Sequence, residues 1–167
     1  MNTAIRTLGI VSLALSSLGP LAAQAPPRGP GPITITGPVR VIEADTLEVY
    51  IRGARVGVRI AGIRVPQGNT PCGRAASAAL REMLSSGAVL DEERRLPLLD
   101  EKQHLRLFRV TTPSGRPVAA ELALAGLAAV NPGHADAVDF PEIIGNQQDA
   151  QSTKRGCLWA DESNPTL

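Results

Sequence analysis

From residue 33 to residue 64, apolar side chains recur at alternate positions. Val39, Val41, Leu47, Val49, Ile51, Val56, Val58 and Ile60 are separated by polar residues. Alternation of this kind places one row of side chains on each face of a pleated chain, so the segment predicts strands. Arg52-Gly53-Ala54-Arg55 interrupts it and predicts the turn that folds one strand back on the next. Asn69 to Gly73 reads as a loop. The period then changes: Ala76, Ala79, Leu80, Met83 and Leu84 share one face at helical spacing, predicting a helix over 74–86 closed by Gly87. Strand patterns return at 88–93 and 105–112, with a turn at Pro113-Ser114-Gly115. A short Ala/Leu helix is expected over 119–128, and a last helix over 141–155, opened by Pro141 and closed by Gly156. Strands, a helix, two more strands and two helices predict an α+β domain, a small barrel with helices packed round it.

The start of the chain follows a different pattern. Arg6 is followed by the uncharged apolar stretch Leu8 to Leu18 and then by Ala23-Gln24-Ala25. These are the charged, apolar and small-residue parts of a cleavable secretory signal peptide. The apolar stretch is shorter than the roughly 20 residues a bilayer span needs, and no cysteine at its end offers a lipid attachment point. Residues 1–25 are therefore expected to be removed on export, to the periplasm or outside the cell, with no membrane span after that. Pro26 to Pro32 is a Pro/Gly spacer, residues 26–37 cover it and a first extended segment, 38–160 form the domain, and 161–167 form a C-terminal tail.

Charge changes the picture of partners. The chain carries 17 basic and 16 acidic residues. The leader holds one of the basic residues and none of the acidic ones, so the remainder is formally neutral. Proteins that grip a nucleic-acid backbone draw affinity from a basic face, and neutrality gives that reading no support. Tyr50, Phe108, Phe140 and Trp159 are the only aromatic residues, too few for a surface that stacks single-stranded bases. Two cysteines in an exported chain, Cys72 and Cys157, predict one disulfide rather than two free thiols. His104 and His134 have no Cys or carboxylate at metal-ligand spacing, which argues against zinc. Asp91-Glu92-Glu93-Arg94-Arg95 reads as a solvated strand end and loop.

Four stretches are more specific. Val41-Ile42-Glu43-Ala44-Asp45-Thr46, the run from Val58 to Gln67, Glu121 to Ala128, and Arg155-Gly156-Cys157-Leu158-Trp159 follow one another in an order and spacing that resembles the staphylococcal nuclease (thermonuclease-like) family. The resemblance covers roughly Pro38 to Trp159. It implies a five-stranded OB-type β-barrel packed with three α-helices, and calcium-dependent hydrolysis of DNA and RNA. In that chemistry two aspartates and a backbone carbonyl hold Ca²⁺, a glutamate activates water, and two arginines bind the phosphate and its developing charge.

The resemblance transfers only in part. Asp45 matches the first metal aspartate and Arg59 the first phosphate arginine. Val65 could still offer its carbonyl. Arg64 stands in place of the second metal aspartate and Gln67 in place of the base. An ungapped count back from Gly126 puts Arg106 at the second phosphate arginine, though the lead-in before it, Lys102-Gln103-His104-Leu105, departs from the family pattern. Pro132 and His134 replace the nucleotide-stacking tyrosines. Aspartate to Arg64 is a swing of two charges at a cation site, and Gln67 cannot take a proton from water near neutral pH. The expectation is a degenerate, non-catalytic domain without a cofactor. It would bind an anionic ligand through Arg59, Arg64 and, less directly, Arg106, or a protein partner or envelope component. The alternative is a weakly active nuclease built on Asp45, Glu43, Arg59 and Arg106, and only that version would use Ca²⁺.

Overall fold

The computed structural model describes residues 31–96, 99–100 and 105–160. The expected signal peptide at 1–25, most of the spacer and the tail at 161–167 lie outside the described residues. Four strands open the fold: β1 (Ile33–Thr36), β2 (Arg40–Glu43), β3 (Thr46–Ile51) and β4 (Ala54–Ile60). The short β5 (Ile63–Arg64) leads to α1 (Pro71–Met83), then β6 (Gly87–Glu92), β7 (Leu99–Asp100) and β8 (Leu105–Thr111). The chain closes with α2 (Val118–Leu124), β9 (Ala129–Val130), a single 3-10 turn at Pro132–His134, α3 (Phe140–Ser152) and the one-turn α4 (Gly156–Trp159).

The strands form a sheet curled into half a barrel, in the order β1-β6-β8-β4-β3-β2, with β7 also on β8 and a separate β5–β9 pair. All pairings are antiparallel except β4 with β8, which run parallel with Val58 beside Arg106 and Ile60 beside Phe108. Six strands lie along this path where five were expected. Its two ends, β1 and β2, are separated in the chain only by Gly37, Pro38 and Val39.

The alternating residues do what their period predicts. Leu47, Val49, Val58, Ile60, Leu90, Phe108 and Val110 point inward and are almost fully buried. Leu80 of α1 and Leu84 just after it, Val118 and Leu122 of α2, and Ile143 of α3 complete the same core. Each such side chain withdrawn from water contributes about 1.5–3 kcal/mol. A smaller cluster of Ala61, Leu96, Leu107 and Ala137, with Phe140 against it, forms apart from this core. It is held by residues of the opposite strand face, since Leu107 alternates with Arg106 and Phe108.

The hairpin between β3 and β4 turns on Arg52 and Gly53 alone, both at positive φ (51° and 81°). That is the tight two-residue turn whose twist suits the strands it joins. Helix ends differ from the sequence expectation. α1 begins three residues early because Thr70 caps it: its hydroxyl oxygen accepts from the Gly73 amide at 3.0 Å, and Pro71 fits the first helical position. Its last residue is Met83, and Gly87 opens β6 rather than closing the helix.

α2 stops at Leu124, four residues early. The Leu127 amide donates to the Leu122 carbonyl and the Gly126 amide to the Ala123 carbonyl, each at 3.0 Å. This pair of bonds ends a helix on a left-handed residue, here Gly126 at φ 67°. α3 ends the same way on Lys154 (φ 50°), with the Arg155 amide on the Ala150 carbonyl, so Gly156 is free to begin α4. Cys72, in the first turn of α1, is disulfide-bonded to Cys157 of α4 across 85 residues, with Cα atoms 5.5 Å apart. No helix among the described residues is long and apolar enough to cross a membrane.

Candidate functional site

Asp45 lies in the bend between β2 and β3, where a register shift between Val41 and Glu43 loosens the pairing. It is only 5% exposed. Its carboxylate is already engaged: one oxygen accepts from the Thr46 hydroxyl at 2.8 Å, and the other sits 3.4 Å from Arg59 Nη2. The contact is dictated by register, since Thr46 stands opposite Arg59 across the β3–β4 ladder. The Ile60 amide donates to the Asp45 carbonyl at 2.8 Å, pinning the bend to β4. A buried charge of this kind needs its counter-charge, and removing either partner leaves the other stranded.

None of the remaining residues singled out by the sequence is ion-paired with Asp45 among the described residues. Arg64 is exposed on β5, opposite Ala129 of β9, and has no ion-pair partner among the described residues. Val65 is half-buried and Gln67 is exposed in the loop before α1. Arg106 is ion-paired with Glu92 and lies over the Phe108 ring, 5.3 Å from its centre. The carboxylate it meets is therefore that of Glu92, not Asp45. Glu43 is exposed and faces the same cleft as Gln67. His134 accepts a hydrogen bond on Nδ1 from the Gly62 amide at 3.1 Å, a contact that holds the 3-10 turn against the strand end, and Pro132 is exposed. Among the described residues no three His, Cys, Asp or Glu side chains come together as a metal site. The structure thus unites Asp45 with Arg59 and pairs Arg106 with Glu92 instead.

One acidic run is corrected. Asp91 to Arg95 was expected to be solvated, but Glu93 is 3% exposed. Its carboxylate accepts from the Arg95 amide at 3.1 Å and the Val138 amide at 3.0 Å, tying the end of β6 to the approach of α3. Asp91 pairs with Arg109 at 2.8 Å and Glu92 with Arg106. The cause is the β6–β8 register, which sets Asp91 beside Arg109 and puts Glu92 two strand positions from Arg106. A sequence read strand by strand does not show such cross-strand neighbours.

Asp139 belongs to the same group and carried no signal in the sequence beyond its place before Phe140-Pro141. It makes no capping bond to α3 and instead lies 3.8 Å from Arg109. Burial pushes its carboxyl above the ordinary value of 3.8, with Arg109 pulling the other way and Glu142 and Glu93 adding to the rise. Between the unfolded and the raised folded value the native state binds the proton more tightly. Stability therefore falls as pH rises through that window. Thermal melts of wild type and Asp139→Asn from pH 3.8 to pH 7 test this: the variant's melting temperature should gain on wild type as pH rises. A pH-independent difference would refute the assignment.

The chain matches no protein-family model, and no curated protein matches it.

Proposed function

We propose that this chain is an exported, non-catalytic module of thermonuclease-like fold that binds an anionic ligand or a protein partner. The sheet supports the fold assignment. β1 and β2, three residues apart, form the two halves of one bent strand. Counted so, the path has the five strands of an OB-type barrel, with β4 and β8 as its parallel pair, which supports that reading of the half-barrel sheet. Two of the family-like stretches also meet in space: a Cβ on Gly126 would overlap the Arg155 carbonyl, and one on Gly156 would overlap the carbonyls of Ala125 and Gly126. Export rests on the leader pattern and accords with the Cys72–Cys157 bond, a linkage at home in oxidising compartments.

The Asp45–Arg59 pair carries the non-catalytic reading. The acid positioned to hold a metal and the cation positioned to hold a phosphate neutralise each other in a buried contact. Ca²⁺ takes about 6–8 oxygen ligands, several of them anionic. Arg64 adds a positive charge where an acid is needed, and Gln67 supplies no base. Arg64, exposed and without an ion-pair partner among the described residues, turns the surface toward anions instead.

Incubating the protein with single-stranded DNA and Ca²⁺, Mg²⁺ or Mn²⁺, beside Asp45→Asn, tests the reading. Neither protein should cleave. Metal-dependent cleavage by wild type that the variant loses would overturn it in favour of a weakly active nuclease.

A further inference from the structure

Gln67 and Glu43 look into an open cleft of about 720 Å³ between β2, the loop at 67–69 and α1. Its volume falls in the range that takes a small organic ligand. The α1 wall presents Arg74, Ser77 and Arg81, spaced so that all three lie on one face of the helix. Seven residues of helix separate the two arginines by about 10 Å along the axis. Arg74 donates from Nη1 to the Asn69 carbonyl at 2.7 Å, which fixes its guanidinium at the mouth of the cleft while leaving further donors open. Arg81 has no ion-pair partner among the described residues.

Ser77 is the most telling of the lining groups. It is 6% exposed, yet among the described residues its hydroxyl has no hydrogen-bond partner. The part of Ser77 that stays accessible lines the cleft, so its hydroxyl meets open space there and can bond a ligand. Opposite α1, Glu43 offers an acceptor, and Ile42, 46% exposed, offers an apolar patch. A second cleft of similar size, at the other end of α1, has its basic residue Arg116 already paired with Glu121 at 3.4 Å.

We infer that the Arg74–Ser77–Arg81 cleft binds an organic oxyanion, a carboxylate or phosphate ester carrying hydroxyl donors at its other end. The charged group lies along the helix on Arg81, Ser77 and Arg74, and the donors face Glu43. This inference rests on the binding-module reading above and places the anion on the α1 wall rather than on Arg64.

Isothermal titration of the purified protein with citrate and with glucose 6-phosphate, using glucose as the uncharged control, tests it. Both anions should bind and glucose should not. Arg81→Gln should weaken both anions about tenfold, as loss of a charge-assisted hydrogen bond does. Ser77→Ala should weaken them by a smaller factor, and Arg64→Gln should leave them unchanged. Arg74→Gln provides a second variant should Arg81→Gln alter the melting temperature. Binding that survives Arg81→Gln and Arg74→Gln but is lost in Arg64→Gln would overturn the cleft while preserving an anion-binding module. Absence of heat with both anions would overturn the cleft and leave a protein partner as the surviving form of the module.

Discussion

Replacing Cys72 and Cys157 together with alanine is expected to lower the unfolding free energy by about 4–5 kcal/mol. The bond joins residues 85 apart, so cutting it releases a long loop in the unfolded chain, and entropy of closure grows with loop length. A domain of this size is stable by only about 5–15 kcal/mol. The loss is therefore a large share of the total. The native state suffers locally as well. α4 is one turn long, buries Leu158, and is otherwise fastened through the Leu158 amide on the Gly126 carbonyl at 3.2 Å. Urea unfolding of wild type, oxidised and reduced, beside the double variant measures the effect. The reduced protein and the variant should unfold at similar, much lower urea concentrations. A difference under about 1 kcal/mol would mean that the unfolded chain holds the two ends together without the bond.

Gly126→Ala should be strongly destabilising. Gly126 sits at φ 67°, and a Cβ there would run into the Arg155 backbone. A left-handed non-glycine residue costs about 1–2 kcal/mol, and the backbone contact adds to it, giving roughly 2–4 kcal/mol in all. Gly115 supplies the control. It also has positive φ, at 86°, but a Cβ there meets nothing within 4 Å. Gly115→Ala should therefore show the conformational cost alone, and the excess in Gly126→Ala measures the close approach. Gly156→Ala disturbs the same contact from the other side, so the double variant should lose less than the two single losses added together. Equal losses at Gly115 and Gly126 in chemical denaturation would show that the α2–α4 contact contributes nothing.

The longer strands of this fold could be read from the sequence because each carries its own signal, whereas the two-residue β7 and β9 were not expected as strands. Val56, Val58 and Ile60 alternate whatever stands beside them, and burial of that face follows from the period. Helix ends were less legible. Thr70, Pro71 and Gly73 form a cap, but the same residues also resemble a loop until the Thr70 hydroxyl is seen to bond the Gly73 amide. Gly87 and Gly156 were read as helix stops because glycine favours left-handed turns. Gly87 instead opens a strand at φ 131°, and Gly156 opens a new turn at φ 71°.

The candidate site divides along the same line. Asp45 and Arg59 could be picked out by their positions, whereas their mutual pairing depends on Thr46 facing Arg59 across a ladder. Glu92 beside Arg106 and Asp91 beside Arg109 also come from a neighbouring strand. Glu93 lay hidden in a run of charges, because only the return of the chain at Val138 gives its carboxylate something to hold. Ser77, one small residue in an Ala-rich helix, gave no sign in the sequence that it would line a cleft without a hydrogen-bond partner among the described residues.

The way the sheet path begins and ends on nearly the same stretch of chain has a bearing on behaviour in concentrated solution. A long, straight outer strand offers its unpaired amides and carbonyls to neighbouring molecules, and protein aggregation often starts there. Here the outer rows are β1 and β2, four residues each, with Gly37 and Pro38 between them and an irregular register in β2. Proline has no amide to donate, and an irregular register breaks the row of donors and acceptors that an incoming strand would match. The same bend that draws the sheet round on itself leaves its rim too short and too crooked to template another copy.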